Sequence, residues 1–183
     1  MAKVLLGITM SLDGFINDRN GNVGRLYPDL GELDKTEMLQ ESIRMTGAVV
    51  MGRHAYDMAN GDFTGYEYQV PIFVVTHQPP EKTAKGENGV FKFTFVTDGV
   101  ESAVKQAKAV AGDREVTIVG GADIAQQCIN GGLADELDVG IVPVLLGEGL
   151  RFFEHLDVQQ IELETTNVSE TLGTIYLRFR FVR

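Results

Sequence analysis

The chain has 183 residues, 44% hydrophobic and 23% charged, with a formal net charge of -10. That length suits one domain with a sizeable core, and the composition is ordinary for a folded protein. The acidic balance excludes general nucleic-acid binding, which needs clustered Lys and Arg, so any phosphate site must be local, built from backbone amides and one or two arginines.

Val4 to Met10 is a hydrophobic run that reads as a buried first strand. Ser11 to Gly24 follows, with three glycines and several Asx residues, and reads as a long loop of the kind that covers active sites. Asp13-Gly14 is a turn signal, and Asp13 is expected to bond within its own turn or to face a substrate. The pattern over Glu32 to Thr46 predicts an amphipathic helix with an acidic start. Ala48 to Met51 reads as a second strand, and Gly52-Arg53-His54 opens a short helix ending near Asn60-Gly61. An arginine at a strand–Gly–helix junction in an acidic chain is placed to clamp a phosphate; the competing reading is a surface ion pair. Residues 60 to 70 read as surface loop. Ile72 to Thr76 is a third strand closed by His77-Gln-Pro-Pro80, since a proline pair cannot extend it. Residues 81 to 89 read as loop and Phe93 to Val96 as a short strand. Asp98 and Glu101 make a candidate capping pair for a helix with Val100, Val104, Ala107 and Ala111 on its apolar face.

The stretch from Glu115 to Gly132 is the most informative. A β-branched run ending at Val119 meets Gly120-Gly121, and a helix follows with Ile124, Ala125, Cys128 and Ile129 on one face. Without Cβ atoms the glycines let a ligand approach the backbone, and the first helical N–H groups have no internal partner, which suits a pyrophosphate. A tight turn with nothing bound gives the same pattern. Leu137, Val139 and Ile141 alternate as a strand, with Pro143 marking a bulge or an edge. Phe152 and Phe153 are expected to pack inward. Ile161 to Val168 and Thr174 to Val182 read as a closing antiparallel pair around Gly173. The sum is a single three-layer α/β/α domain with a mostly parallel sheet and antiparallel C-terminal strands, its ligand beyond the carboxyl ends of the parallel strands. Cys128, the single cysteine, excludes an internal disulfide, and His54, His77 and His155 have no metal-ligand spacing. The first residues lack a signal-peptide pattern and no apolar run reaches the ~20 residues of a membrane helix, so the expectation is a cytoplasmic protein without a membrane partner.

Ser11-Leu-Asp-Gly-Phe-Ile16, Val50-Met-Gly-Arg53, Val119-Gly-Gly-Ala122, Leu133-Ala-Asp-Glu-Leu137 and Pro143-Val-Leu-Leu-Gly-Glu-Gly149, in this order, resemble the dihydrofolate reductase superfamily. Within it, the chain looks most like the reductase domain of bacterial riboflavin biosynthesis. The resemblance implies an NADPH-dependent reductase, usually a homodimer, acting on a compound like 5-amino-6-(5-phosphoribosylamino)uracil. It places Gly52, Arg53 and His54 at the adenosine 2′-phosphate and Thr76 and His77 at the adenosine end. Val119, Gly120, Gly121, Ala122 and Ile124 fall at the pyrophosphate, and Thr9 and Met10 beside the nicotinamide. Asp13, Phe15, Leu146 and Gly147 would face the substrate, and Asp34, Glu37 or water would deliver the proton, a carboxyl only if burial raises its pKa. Departures are Ala55 where the family often has Thr, which removes a hydroxyl contact, Asp123 after the glycine turn, which weakens the case for a 2′-phosphate, and the absence of Trp, which counts against a true folate reductase. The alternatives are a non-catalytic nucleotide-binding dimer module and a flavin carrier.

Overall fold

A computed structural model describes residues 2–157 and 161–182. Its strands are β1 (Val4–Ser11), β2 (Thr46–Gly52), β3 (Ile72–Val75), β4 (Phe93–Val96), β5 (Glu115–Val119), β6 (Glu136–Val142), β7 (Leu163–Thr171) and β8 (Thr174–Phe181). They form one eight-stranded sheet in the order β4-β3-β2-β5-β1-β6-β8-β7. Every pairing from β4 to β6 is parallel, and β8 and β7 are added antiparallel. The helices are α1 (Leu30–Leu33), α2 (Glu37–Met45), α3 (Arg53–Asp57), α4 (Val100–Ala111) and α5 (Ala122–Asn130).

The period-2 alternation of the strands sorts the core into two layers. Ala48 and Val50 of β2 join Val4, Leu6, Val116 and Ile118 against α4 and α5. Val49 and Met51 of the same strand face the other way, with Tyr56 of α3, Phe63, Tyr68 and Phe91. Strand β2 is buried on both faces along its whole length, as the centre of a parallel sheet must be. The apolar faces expected for the two long helices are the buried ones: Val100, Val104, Ala107 and Ala111 on α4, and Ile124, Ala125, Cys128 and Ile129 on α5.

Several local expectations are corrected. The segment 32–46 is not one helix. Asp29 caps α1 by accepting from the Glu32 N–H (3.0 Å), and Thr36 restarts the chain by accepting from the Leu39 N–H (3.3 Å). Thr46 belongs to β2, its hydroxyl meeting Ser42 O and Thr117 Oγ1, each at 2.7 Å. Residues 60–70 are not mere surface: Phe63, Tyr68 and Val70 are buried, and Phe63 lies 5.4 Å from Tyr56 and 4.9 Å from Phe93, ring centre to ring centre. Ala84, within the 81–89 loop, is buried too and donates its N–H to the Tyr56 hydroxyl (2.6 Å). Gly99, not Asp98, occupies the N-cap of α4, and no side chain caps it. Pro143 follows the end of β6, which is an interior strand of the sheet. Phe152 is fully buried whereas Phe153 is exposed.

Candidate active site at the carboxyl rim of the sheet

The parallel block brings the strand-to-helix junctions to one rim. The register Val50↔Ile118 makes β2 and β5 run out side by side, so the bends after Met51 and Val119 are neighbours. Gly120 and Gly121 both have positive φ, 73° and 82°, a conformation other residues adopt only with strain. A Cβ on Gly120 would lie 3.0 Å from the Ala55 Cβ, and one on Gly121 would lie 3.9 Å from the Gly52 Cα. A Cβ on Gly52 would meet Ile124 Cγ1 at 2.9 Å. Each junction therefore excludes side chains from the other. Ala122 and Ile124 are buried through their side chains. The first internal bond of α5 is donated by Ala125 to Gly121 O, leaving the N–H groups of Ala122, Asp123 and Ile124 ahead of it at the helix start. This is a backbone cradle that fits a pyrophosphate.

Strand β1 overshoots its neighbour. Its ladder with β5 stops at Gly7↔Val119, whereas Thr9 and Met10 go on to pair with Gly140 and Ile141 of β6. The edge of Thr9 and Met10 facing β5 is thereby left above the end of β5, a notch for a flat ring. Beside it is a cavity of about 480 Å³. Met51, Val119 and Gly120 contribute from the strand ends, Ala55, Met58 and Ala59 from α3 and the turn after it, and Tyr27 and residues 62–66 close it. The Tyr27 phenol lies within hydrogen-bond reach of Thr9, and burial raises the pKa of both Tyr27 and Tyr66, keeping both phenols neutral. Tyr27, Met58 and residues 62–66 carry no assignment from the sequence; the density of aromatic residues at Phe63, Tyr66 and Tyr68, not their period, is the signal of a buried shell.

Arg53 lies at the mouth of the β2 junction, half-exposed. Its Nε donates to Asp57 Oδ1 and its Nη1 to Gln78 O, both at 2.8 Å. Thr76 Oγ1 donates to the same Gln78 carbonyl at 2.9 Å. Arg53 and Thr76 are thus joined on the turn after β3, with His54 and His77 exposed nearby in sequence. The surface ion pair is therefore present, and the guanidinium has a further Nη2 donor arm beyond these two bonds.

The substrate assignments need correction. Phe15 is buried, under the Arg151 guanidinium at 4.4 Å, and is a core residue. Asp13 accepts from Ser11 Oγ (2.6 Å), Leu146 N (3.1 Å) and Gly147 N (2.8 Å). Those bonds hold its carboxyl down at about 2, the Ser11 hydroxyl first and the two backbone amides after it. Asp13, Leu146 and Gly147 therefore staple the 11–15 turn to the segment after β6, and none of them lines the cavity. Asp34 and Glu37 are both exposed, and Glu37 pairs with Arg44 at 2.5 Å. Neither meets the condition of burial that proton donation required. The carboxyl with a raised pKa on this side is Glu67, displaced upward by loss of surrounding water and then by the Asp34 charge. Glu67 is exposed, as Asp34 and Glu37 are, and follows Tyr66 of the cavity wall in the chain without lining the cavity itself. Among the described residues there is no group of three or more His, Cys, Asp or Glu able to hold a metal ion, and no helix is long and apolar enough to cross a membrane.

A mostly parallel sheet in this strand order, with antiparallel closing strands and a cradle at its carboxyl rim, defines a dihydrofolate reductase-like α/β protein. The chain belongs to the RibD C-terminal domain family, which it matches over residues 2–177. The uncharacterized protein YyaP of Bacillus subtilis (strain 168) is 27% identical over 173 residues, covering 90% of this chain and 87% of YyaP. A proposed riboflavin biosynthesis protein of Shewanella sp. PV-4 superposes with a TM-score of 0.81 at 22% identity, covering 100% of both chains. Dihydrofolate reductase from Enterococcus faecalis, complexed with NADP(H) and RAB-propyl, superposes at 0.62 with 15% identity, covering 98% of this chain and 96% of that one. At those identities the two structures speak for the fold. The family supports a reductase-like role.

Proposed function

We propose that the protein is an NADPH-dependent reductase that delivers hydride to a small planar heterocycle of the aminopyrimidine kind, working in the cytoplasm as a homodimer. The observation that carries this reading is the adjacency of two side-chain-free bends, after Met51 and Val119, beside a cavity of about 480 Å³. A reduced nicotinamide supplies the hydride; the protein binds, orients and excludes water. The Gly120–Gly121 turn and the start of α5 hold the pyrophosphate through backbone N–H groups. Arg53 offers its remaining donor arm to the 2′-phosphate. Thr9 and Met10 form the floor under the nicotinamide, and Tyr27 and Tyr66 wall the acceptor. Glu67 is the acid of this reading in place of Asp34 and Glu37: it is exposed as they are, but loss of surrounding water raises the pKa of its carboxyl and it follows Tyr66 of the wall. One observation favours a non-catalytic nucleotide-binding module instead: the two acids expected from the family pattern stand in solvent.

Titration of the purified protein with NADPH, followed by nicotinamide fluorescence and then by NADPH oxidation on adding an aminouracil acceptor, separates the readings. Saturable binding with acceptor-dependent oxidation supports the reductase. Binding without turnover across a panel of planar acceptors supports the module, and absence of NADPH binding removes both.

A further inference from the structure

The cavity wall is chemically one-sided. Tyr27, Phe63, Tyr66 and Met58 give it flat aromatic and thioether faces, and Asp62 and Thr64 give it a polar edge. Among the described residues that line it there is no Lys or Arg. Asp62 is fixed in place, accepting from the Thr64 N–H at 2.8 Å, and Thr64 bonds hold it in its ionised form. The cation whose charge acts on Asp62 is Lys85, which pairs with it through backbone and lies outside the lining. Arg53 is turned to Asp57 and Gln78. A phosphate dianion entering such a cavity would meet a carboxylate and no cationic donor, the reverse of what its binding needs.

We infer that the acceptor bound in this cavity is a planar heterocycle carrying no phosphate, neutral or cationic, with an N–H edge turned to Asp62. This rests on the reductase reading only in taking the cavity as the acceptor site. It narrows that reading: the pyrimidine ring, or its unphosphorylated nucleoside, is bound in preference to the phosphoribosylated pyrimidine. The phosphates of the dinucleotide are not in conflict, because they would be held on the glycine bends by backbone N–H groups.

The test uses ligand pairs that differ only by the phosphate. Riboflavin and FMN are titrated into the intact protein by flavin fluorescence, and the ribosylaminopyrimidine nucleoside and its 5′-phosphate are compared by equilibrium dialysis. Asp62 is exposed, so the unphosphorylated member should bind tighter by about fivefold, the scale of one close like-charge contact in water. Asp62→Lys should shrink or invert that ratio, and Asp62→Asn, which keeps an acceptor for the Thr64 N–H, should shrink it less. Equal or tighter binding of the phosphorylated members, a ratio unmoved by Asp62→Lys, or no binding of any member overturns the inference. NADPH binding is read separately: its loss with the phosphate discrimination intact would sink the reductase and leave the cavity assignment standing.

Discussion

Replacing Gly120 by alanine probes the cradle most directly. The residue has φ 73°, so any L side chain is strained there, at a cost of ~1–2 kcal/mol. The added Cβ would also sit 3.0 Å from the Ala55 Cβ, inside the usual carbon–carbon separation of ~3.5–4.0 Å. Relief requires α3 to move away from the end of β5, which widens the gap between the two bends. Together these terms make Gly120→Ala destabilising by ~2 kcal/mol, and for a domain of this size that lowers Tm by ~4–8 °C. NADPH affinity, read by fluorescence at a temperature where the variant stays folded, should fall tenfold or more, ~1.4 kcal/mol. Adding Ala55→Gly removes the contact but not the backbone strain, so it should restore part of the affinity and little of the φ-dependent part of the Tm loss. A Gly120→Ala protein with lowered Tm and unaltered NADPH affinity would refute the reasoning, because it would show the bend to be structural only.

Arg53→Ala should weaken NADPH by at least tenfold more than NADH in parallel titrations, and an equal loss for both would remove the 2′-phosphate role. Asp13→Asn loses the staple between the 11–15 turn and residues 146–147. Because the folded pKa of Asp13 is depressed, to about 2, its contribution is fully present above the unfolded value of ~3.9 and fades as pH falls through 2. The Tm difference between wild type and Asp13→Asn should therefore hold constant from neutral pH to about pH 4 and close below it; a gap that grows on acidification would contradict this. Glu67→Gln should lower kcat for the acceptor and abolish the fall in rate with rising pH that deprotonation of a raised-pKa acid produces; an unchanged profile would take Glu67 out of the proton path. Cys128 is buried, with its thiol pushed up to about 12. It should resist an aromatic disulfide reagent at pH 8 until denaturant is added, and rapid labelling of the native protein would show that α5 opens locally.

The rim was legible in the sequence because it is made by backbone rules. Gly120 and Gly121 punctuate a β-branched run and a helical pattern, and strands separated by helices run parallel, so the ends of β2 and β5 had to meet on one side. The break between α1 and α2 was harder, because Thr36 sits inside an unbroken amphipathic pattern and acts only through its hydroxyl, bonding Leu33 O and the Leu39 N–H. The acids failed for a related reason: helical periodicity says which residues share a face, not whether anything covers that face, and no residue of α2 is fully buried. The aromatic shell of 56–95 was invisible to periodicity because its partners come from separate turns. Tyr56 and Phe63 lie far from Phe91 and Phe93 in sequence; Phe93 reaches both Tyr56 and Phe63, and Phe91 packs on Phe63 and Phe93, only once β3 and β4 are paired.

The two faces of the sheet divide the work. On the α4 and α5 side, small and branched residues such as Ala103, Ala107, Val116, Ile118 and Cys128 are sealed from solvent, and no titratable group other than the thiol lies among them. On the opposite side the same strands present Glu115, Thr117, Thr9 and Asp138, with burial lifting the pKa of Glu115 and Asp138 and α2 resting there without a fully buried residue. Close packing resists deformation, whereas the polar part of this face beside α2, outside the aromatic layer around Tyr56, opens at lower cost. Ligand exchange is therefore expected through the α2 side, with the glycine bends fixed from behind by α5. Substitutions such as Ala107→Gly should change Tm and leave NADPH affinity alone, and substitutions at Tyr27 should weaken binding of the acceptor. The glycine bends are where the two requirements meet, which is why Gly120→Ala is expected to move both.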